Sequence, residues 1–109
     1  MAGRADLLQG SLDLLILKTL ELEPQHGWAL SKRIQHLSGG ALEVNQGSLY
    51  PALYRLRDRG LIASQLAESE EGGPVKIYRL TAAGAKALAA DRKSWRRFAD
   101  AVDAILEAT

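Results

Sequence analysis

A change of hydrophobic period just past the middle of the chain constrains the fold most. Before it, apolar side chains follow the three- and four-residue spacing of amphipathic helices over 11–22, 26–37 and 46–59. After it, residues 61–66 and 75–80 are rich in β-branched and aromatic side chains and flank a loop that contains Gly-Gly-Pro. This order predicts three helices followed by a β hairpin, a mostly α fold with a small amount of β structure.

Capping and turn residues set the expected ends of these elements. Ser11 is placed to cap the first helix, and Gly60 follows the third in the position that favours a left-handed cap. Residues 42–44 are expected to form a very short strand between the second and third helices. Thr81 is expected to cap a final helix over 82–108. At ~1.5 Å per residue this helix is about 40 Å long, more than a small domain can cover.

The apolar stripes of the first three helices identify the expected core. They consist of Leu12, Leu15, Ile16, Leu20, Leu30, Ile34, Leu37, Leu49, Ala52, Leu53 and Leu56. Leu14 and Leu17 lie on the far side of the first helix, so this helix has a second apolar face. That face needs another partner, which is the first indication of an oligomer.

Composition excludes several classes of protein. The 109 residues suffice for one domain with one modest core. Without cysteine the chain has no disulfide and no thiolate zinc site, and no carboxylate pattern surrounds its two histidines. We therefore expect no metal, no cofactor and no enzymatic activity. The N-terminus lacks a signal-peptide layout and the longest apolar run is four residues, so we expect a cytoplasmic protein without a membrane span.

Three helices followed by a hairpin form a winged helix-turn-helix, in which the third helix enters the DNA major groove and the hairpin, or wing, lies along the backbone. The net charge of +1 is uninformative, but residues 31–59 hold five basic against two acidic side chains. The outward side of the third helix presents Pro51 and Tyr54, flanked by Tyr50 and Arg55. These features predict binding to double-stranded DNA. The alternative is a solvated helix face in a protein-interaction module without DNA binding.

Four blocks of sequence, in this order along the chain, resemble the PadR family of transcriptional regulators. They cover about the first 85 residues and read Gly10-Ser-Leu-Asp-Leu-Leu-Ile-Leu17, His26-Gly-Trp28, Gln46-Gly-Ser-Leu-Tyr-Pro-Ala-Leu53 and Tyr78-Arg-Leu-Thr-Ala-Ala-Gly84. The third block is the most specific. The resemblance implies a dimeric winged-helix protein of bacteria or archaea, usually a repressor that acts on a near-palindromic operator. It also implies that the final helix serves dimerisation.

The same resemblance places Ser48, Tyr50 and Pro51 where family members meet DNA, and Lys76 where the wing reaches a phosphate. The wing tip departs from the family pattern because its sequence, Glu68-Ser-Glu-Glu71, is acidic. Carboxylates repel phosphates, so the tip is expected to point away from DNA and to leave Lys76 and Arg79 as the wing contacts. The candidate DNA-binding residues are Gln46, Ser48, Tyr50, Pro51, Tyr54, Arg55, Lys76 and Arg79.

The final helix carries apolar residues at heptad spacing, which predict a seam between two chains. With the second face of the first helix, the candidate dimerisation residues are Leu14, Leu17, Leu88, Trp95, Phe98, Val102 and Ile105. A lone domain cannot bury all of them, so a two-fold symmetric homodimer is expected. In this scheme residues 1–80 form the winged helix-turn-helix domain and residues 81–109 the dimerisation helix.

The two tryptophans, Trp28 and Trp95, each allow two interpretations. If the final helices cross in a dimer, Trp95 and its symmetry mate could approach each other and stack on a planar ligand. Some PadR-like multidrug sensors bind flat aromatic compounds in this way, so the resemblance suggests a small aromatic effector at Trp95. The alternative is that Trp95 fills the dimer core beside Phe98. Trp28 is expected to fold its ring back over the start of the second helix, with a DNA or ligand contact as the alternative.

Overall fold

The computed structural model describes the backbone of residues 2–109 and the side chains of residues 11–109. Over residues 2–109, four helices accompany a small antiparallel sheet. The helices are α1 (Ala2–Leu22), α2 (Gly27–Leu37), α3 (Gln46–Asp58) and α4 (Ala82–Leu106), and the strands are β1 (Gln25–His26), β2 (Ile62–Glu68) and β3 (Pro74–Leu80). The chain is therefore a winged helix-turn-helix with a long C-terminal helix, as the sequence predicts.

The short strand lies before α2 and not at residues 42–44, so that prediction was wrong. The sheet order is β1-β3-β2, and β1 pairs with β3 through Gln25↔Tyr78 and His26↔Ile77. Extended residues just ahead of α2 reach the free edge of the wing, whereas the chain after α2 is turned by glycines and held by a bond from the Leu42 amide to Ser38 Oγ (3.0 Å). Strand pairing thus joins the helical layer to the wing.

The core lies between α1, α3 and the sheet, and it corrects two predicted dimer residues. Leu17 on α1 and Leu88 on α4 are both buried within the single chain. Leu17 was placed at the dimer surface because α1 was taken to have a face without a partner, and Leu88 because it begins the heptad spacing of α4. Within one chain α1 packs against α2, α3, β3 and α4, so its second apolar face is already covered. Leu14 is half-buried and packs against the same core.

Two expectations at helix ends were also wrong. α1 continues upstream of Ser11, because the preceding Ala, Leu, Arg and Gln residues favour a helix. Leu37, the last residue of α2, is half-exposed rather than inward. Gly39 and Gly40 follow it with positive φ angles and turn the chain away before the core can cover that side chain.

Side-chain caps fix α3 and α4 where the sequence predicts them. Asn45 Oδ1 accepts a hydrogen bond from the Ser48 amide (2.9 Å) at the start of α3. Just past the end of this helix, Gly60 adopts a left-handed conformation with φ of 76°. Thr81 Oγ1 accepts from the Gly84 amide (3.0 Å) and donates to the carbonyl oxygen of Gly60 (2.7 Å). One hydroxyl therefore joins the end of α3 to the beginning of α4.

Beyond Leu88, α4 carries no fully buried residue and extends away from the core. The molecule is elongated, with extents of 59 × 28 × 22 Å. Trp95 and Phe98 lie half-exposed on this projecting part, with ring centroids 5.9 Å apart. Ile105 is 74% exposed. Over residues 2–109, no helix combines the length and apolar character needed to cross a membrane.

Candidate nucleic-acid interface

An open cleft of about 980 Å³ separates the outer side of α3 from the wing. Its aromatic wall comes from β1, from the start of α2, from α3 and from β3, and the tip of the wing lines the opposite end. The aromatic residues that line it are His26, Trp28, Tyr50, Tyr54 and Tyr78. Because two helices and all three strands contribute to the cleft, its shape depends on how the wing is docked against the helices.

Tyr50 is positioned by the absence of a side chain at residue 27. Gly27 is buried, and a Cβ atom built there would lie 2.9 Å from both Cε1 and Oη of Tyr50. The tyrosine ring therefore packs directly on the first turn of α2. Its neighbour Tyr54, one helical turn further on, has its ring centroid 6.1 Å away.

Tyr54 lies between two cations from different elements. Arg57 Cζ lies 5.2 Å from the ring centroid, and Lys76 Nζ approaches from β3 to 5.9 Å. Aromatic faces attract cations at such distances, so Tyr54 links α3 to the wing. Arg57 was not among the predicted DNA contacts. The i, i+3 spacing between Tyr54 and Arg57 is the sequence signal that predicts the position of this arginine beside the ring.

The start of α2 forms a second aromatic and cationic group. The Trp28 ring stacks on His26, with centroids 6.1 Å apart and planes 15° apart, and Lys32 Nζ lies 4.2 Å from the Trp28 centroid. His26 also caps the helix, because its Nδ1 accepts from the Ala29 amide (3.3 Å). The predicted helix-start role of His26 and the predicted fold-back of Trp28 are confirmed, although the indole stays half-exposed and lines the cleft.

Burial distinguishes Tyr78 from the other tyrosines of the cleft. Its side chain is 1% exposed, and removal from water raises its pKa. The nearby Tyr54 hydroxyl raises that pKa further, whereas the Arg57 charge opposes the change. Tyr78 is therefore a neutral hydroxyl at physiological pH, held beside the outer face of α3.

The predicted DNA-binding residues fall into different environments. Tyr50, Tyr54 and Lys76 meet in the cleft, whereas Arg55 forms an ion pair with Asp13 of α1. The remaining members lie outside the cleft lining and are Gln46, Ser48 and Pro51 at the start of α3, and Arg79 on β3. Lys76 and Arg79 are three residues apart on one strand, so they project from opposite faces of the wing.

A family model of PadR-like transcriptional regulators matches residues 16–90. The chain belongs to this family. The match includes α2, α3 and the wing, so it contains the whole cleft. Among the described residues, no group of three or more His, Cys, Asp and Glu side chains could hold a metal ion.

Similar PadR-family proteins support the same assignment. The transcriptional regulator YqjI of Escherichia coli is 37% identical over 84 residues, which make up 77% of this chain and 39% of that protein. The chain thus spans well under half of that regulator. A PadR family transcriptional regulator from Eggerthella lenta has a solved structure that is 31% identical, with a TM-score of 0.82 and coverage of 99% of this chain and 92% of that one.

A transcriptional regulator from Clostridium thermocellum shows the likeness of fold alone. Its structure superposes with a TM-score of 0.86 at 24% identity, covering 94% of this chain and 99% of that one. The high coverage extends the likeness beyond the matched family region into α4. The winged helix and its long C-terminal helix therefore occur together in another solved chain.

Proposed function

We propose that this PadR-family regulator binds double-stranded DNA through α3 and the wing and acts as a repressor. The observation that carries the proposal is the cleft in which Tyr50 and Tyr54 of α3 face Lys76 of β3. Hydroxyls and a cation that converge between a helix and a wing suit the edge of a duplex, where backbone contacts set position and base contacts set sequence.

The start of α3 is suited to the major groove. Gln46 and Pro51 are exposed, Ser48 is half-exposed, and Gly47 has no side chain to hold the backbone away from a base edge. An amide and a hydroxyl at a helix start can bond to bases or phosphates. In this proposal the leading end of α3 reads sequence, while Lys76 and Arg79 supply phosphate contacts from the two faces of the wing.

The projecting part of α4 supports a homodimer that reads a near-palindromic operator. Phe98 is 49% and Ile105 74% exposed, and Trp95 and Val102 lie along the same stripe. A two-fold symmetric pair of such helices would bury these side chains and set two copies of α3 at a fixed separation. Residues 1–80 would then bind DNA and residues 81–109 would hold the dimer together.

The structure bears on the aromatic-effector hypothesis through one contact. Trp95 already packs on Phe98 of the same helix, which favours the alternative in which it fills the dimer interface. The effector is therefore not part of the proposed function. Binding of planar cationic dyes that quenches Trp95 fluorescence in a Trp28→Phe variant would reinstate it.

A salt titration on a DNA fragment from the protein's own promoter tests the proposal. We expect tight binding at low salt and a steep linear fall of log affinity with log salt concentration, because bound phosphates release counterions. Absence of binding at low salt would favour the protein-interaction module instead. A promoter–reporter assay with and without the regulator tests repression, which requires lower expression in its presence.

A further inference from the structure

Two cation sites supported by aromatic rings border the cleft, and neither Arg57 nor Lys32 is among the DNA contacts that the sequence predicts. In the first, Arg57 and Lys76 approach the Tyr54 ring from α3 and β3. In the second, Lys32 lies over Trp28 at the start of α2. Both rings line the cleft, so both cation sites flank the same space.

Lys32, Lys76 and Arg57 keep a positive charge that can attract an anionic ligand. Within the described part of the chain, neither Lys32 nor Lys76 forms an ion pair, and Arg57 has only the long 3.5 Å contact with the exposed Asp58. Exposed pairs of that length neutralise little charge in water. Arg55, by contrast, is paired with Asp13 at 2.6 Å. The free arginine charge of α3 near the cleft thus belongs to Arg57.

Acidic and basic side chains lie at opposite ends of the cleft. Glu68, Glu70 and Glu71 line the end at the wing tip, and the ring-supported cations lie along the helices and the body of the wing. An anion is repelled from the first end and attracted to the second. A polyanion that enters the cleft is therefore restricted to the side of α2 and α3.

We propose that Arg57 and Lys32 bind phosphates of the DNA backbone and, together with Lys76, hold one strand in the cleft between α3 and the wing. This inference rests on the proposed DNA binding. Tyr54 and Trp28 act as positioning residues, because a cation that already rests on a ring gives up less side-chain freedom when phosphate binds.

The salt dependence of binding to an arbitrary 30-base-pair duplex tests the two cations, since phosphate contacts do not depend on sequence. Arg57→Gln and Lys32→Gln should each reduce the magnitude of the log–log salt slope by about 0.9 for every protomer that contacts the duplex, and so by about 1.8 for the proposed homodimer. The matched control is Arg59→Gln, which removes an exposed charge from the C-terminal end of α3 that contacts neither ring and should leave the slope unchanged. Unchanged slopes for both test variants, or an equal change for Arg59→Gln, would overturn the proposal.

Paired substitutions test the positioning role of the rings. Trp28→Leu should weaken duplex binding at least several-fold more than Trp28→Phe, because only phenylalanine keeps an aromatic face under Lys32. Likewise, Tyr54→Leu should weaken duplex binding more than Tyr54→Phe, which keeps the ring beside Arg57 and Lys76. Equal losses within each pair would overturn the role of the rings.

The results distinguish a failure of the proposed DNA binding from a failure of the Arg57 and Lys32 contacts alone. Wild-type protein that binds neither the promoter fragment nor the arbitrary duplex at low salt would remove the proposed function and this inference with it. Wild-type binding with unaltered slopes in Arg57→Gln and Lys32→Gln would remove this inference alone.

Discussion

Arg55 Nη2 donates a hydrogen bond to Asp13 Oδ1 over 2.6 Å and so ties α3 to α1 across 42 positions of sequence. The two side chains are 52% and 23% exposed. At that exposure the pair stabilises the fold by less than about 1 kcal/mol. Its larger consequence is electrostatic, because the carboxylate compensates an arginine on the helix proposed to read DNA.

Replacing Asp13 with asparagine should release that arginine. We expect Asp13→Asn to lower the free energy of unfolding by less than about 1 kcal/mol and to raise DNA affinity, because Arg55 is no longer neutralised. Urea unfolding and fluorescence anisotropy with a labelled duplex measure the two effects. The control is Glu21→Gln, which breaks the exposed Lys18–Glu21 pair (2.7 Å) on the same helix and should leave DNA affinity unchanged. Weaker binding by Asp13→Asn would show that the ion pair orients Arg55 for contact.

Adding a methyl group at Gly27 should displace Tyr50. The new Cβ would lie 2.9 Å from the tyrosine ring, so Gly27→Ala should shift the ring and weaken DNA binding by about 1–3 kcal/mol, the cost of a lost base contact. In a Tyr50→Ala background the same change should cost almost nothing further, since the clash is gone. Additive losses in this double-mutant cycle would mean that Gly27 acts independently of Tyr50.

A methyl group at Gly84 should affect stability instead. Its Cβ would overlap the carbonyl oxygen of Leu61 and lie 2.7 Å from Leu80 Cδ1. We expect Gly84→Ala to lower the free energy of unfolding by about 1–3 kcal/mol through overpacking. Intrinsic helix propensity predicts the opposite sign, a gain of about 1 kcal/mol. Urea denaturation decides between them, with exposed Ala83→Gly as a measure of propensity alone.

Burial of Tyr78 should make the fold sensitive to alkali. Its folded-state pKa is raised above the usual 10.0, so the folded state holds the proton more tightly than the unfolded chain. The stability that it contributes is complete below about pH 10 and is lost as pH rises through the folded-state pKa. Unfolding midpoints in urea from pH 8 to 11 should fall less steeply for Tyr78→Phe than for wild type. Parallel curves would contradict this assignment.

Charges placed on the projecting part of α4 should separate a dimer without unfolding the chain. Phe98 and Ile105 are exposed, so Phe98→Glu and Ile105→Glu should yield folded monomers by sedimentation velocity and circular dichroism. Asp100→Lys, the control, reverses a charge on the opposite side of the helix and should remain dimeric. Wild-type protein that sediments as a monomer would contradict the proposed homodimer.

Local signals predicted the helices and the wing well. The ends of α3 follow from Gly60 and from the apolar stripe, and Thr81 caps α4 because a hydroxyl before a run of helix formers satisfies a free amide. The strands β2 and β3 extend slightly further than predicted and leave a loop of residues 69–73. These features depend on neighbours close in sequence, so one chain suffices to predict them.

Features that depend on distant partners were harder to predict. Leu17 and Leu88 were assigned to a dimer surface because a helical wheel does not show that α4 folds back on α1. Likewise, residues 25–26 form a strand only because the edge of β3 lies beside them. In the cleft, the sequence identified Tyr50, Tyr54 and Lys76, but not the placement of Arg57 over a tyrosine ring.

The Thr81 hydroxyl, which bridges the end of α3 and the first turn of α4, makes the long helix a lever arm. A helix of 25 residues is roughly 37 Å long at about 1.5 Å per residue. Rotation by about 5° at this joint moves its far end by about 3 Å, close to the ~3.4 Å rise between base pairs. In a dimer built on α4, a small change in crossing angle would thus shift the register of the two α3 helices along the duplex by almost one step.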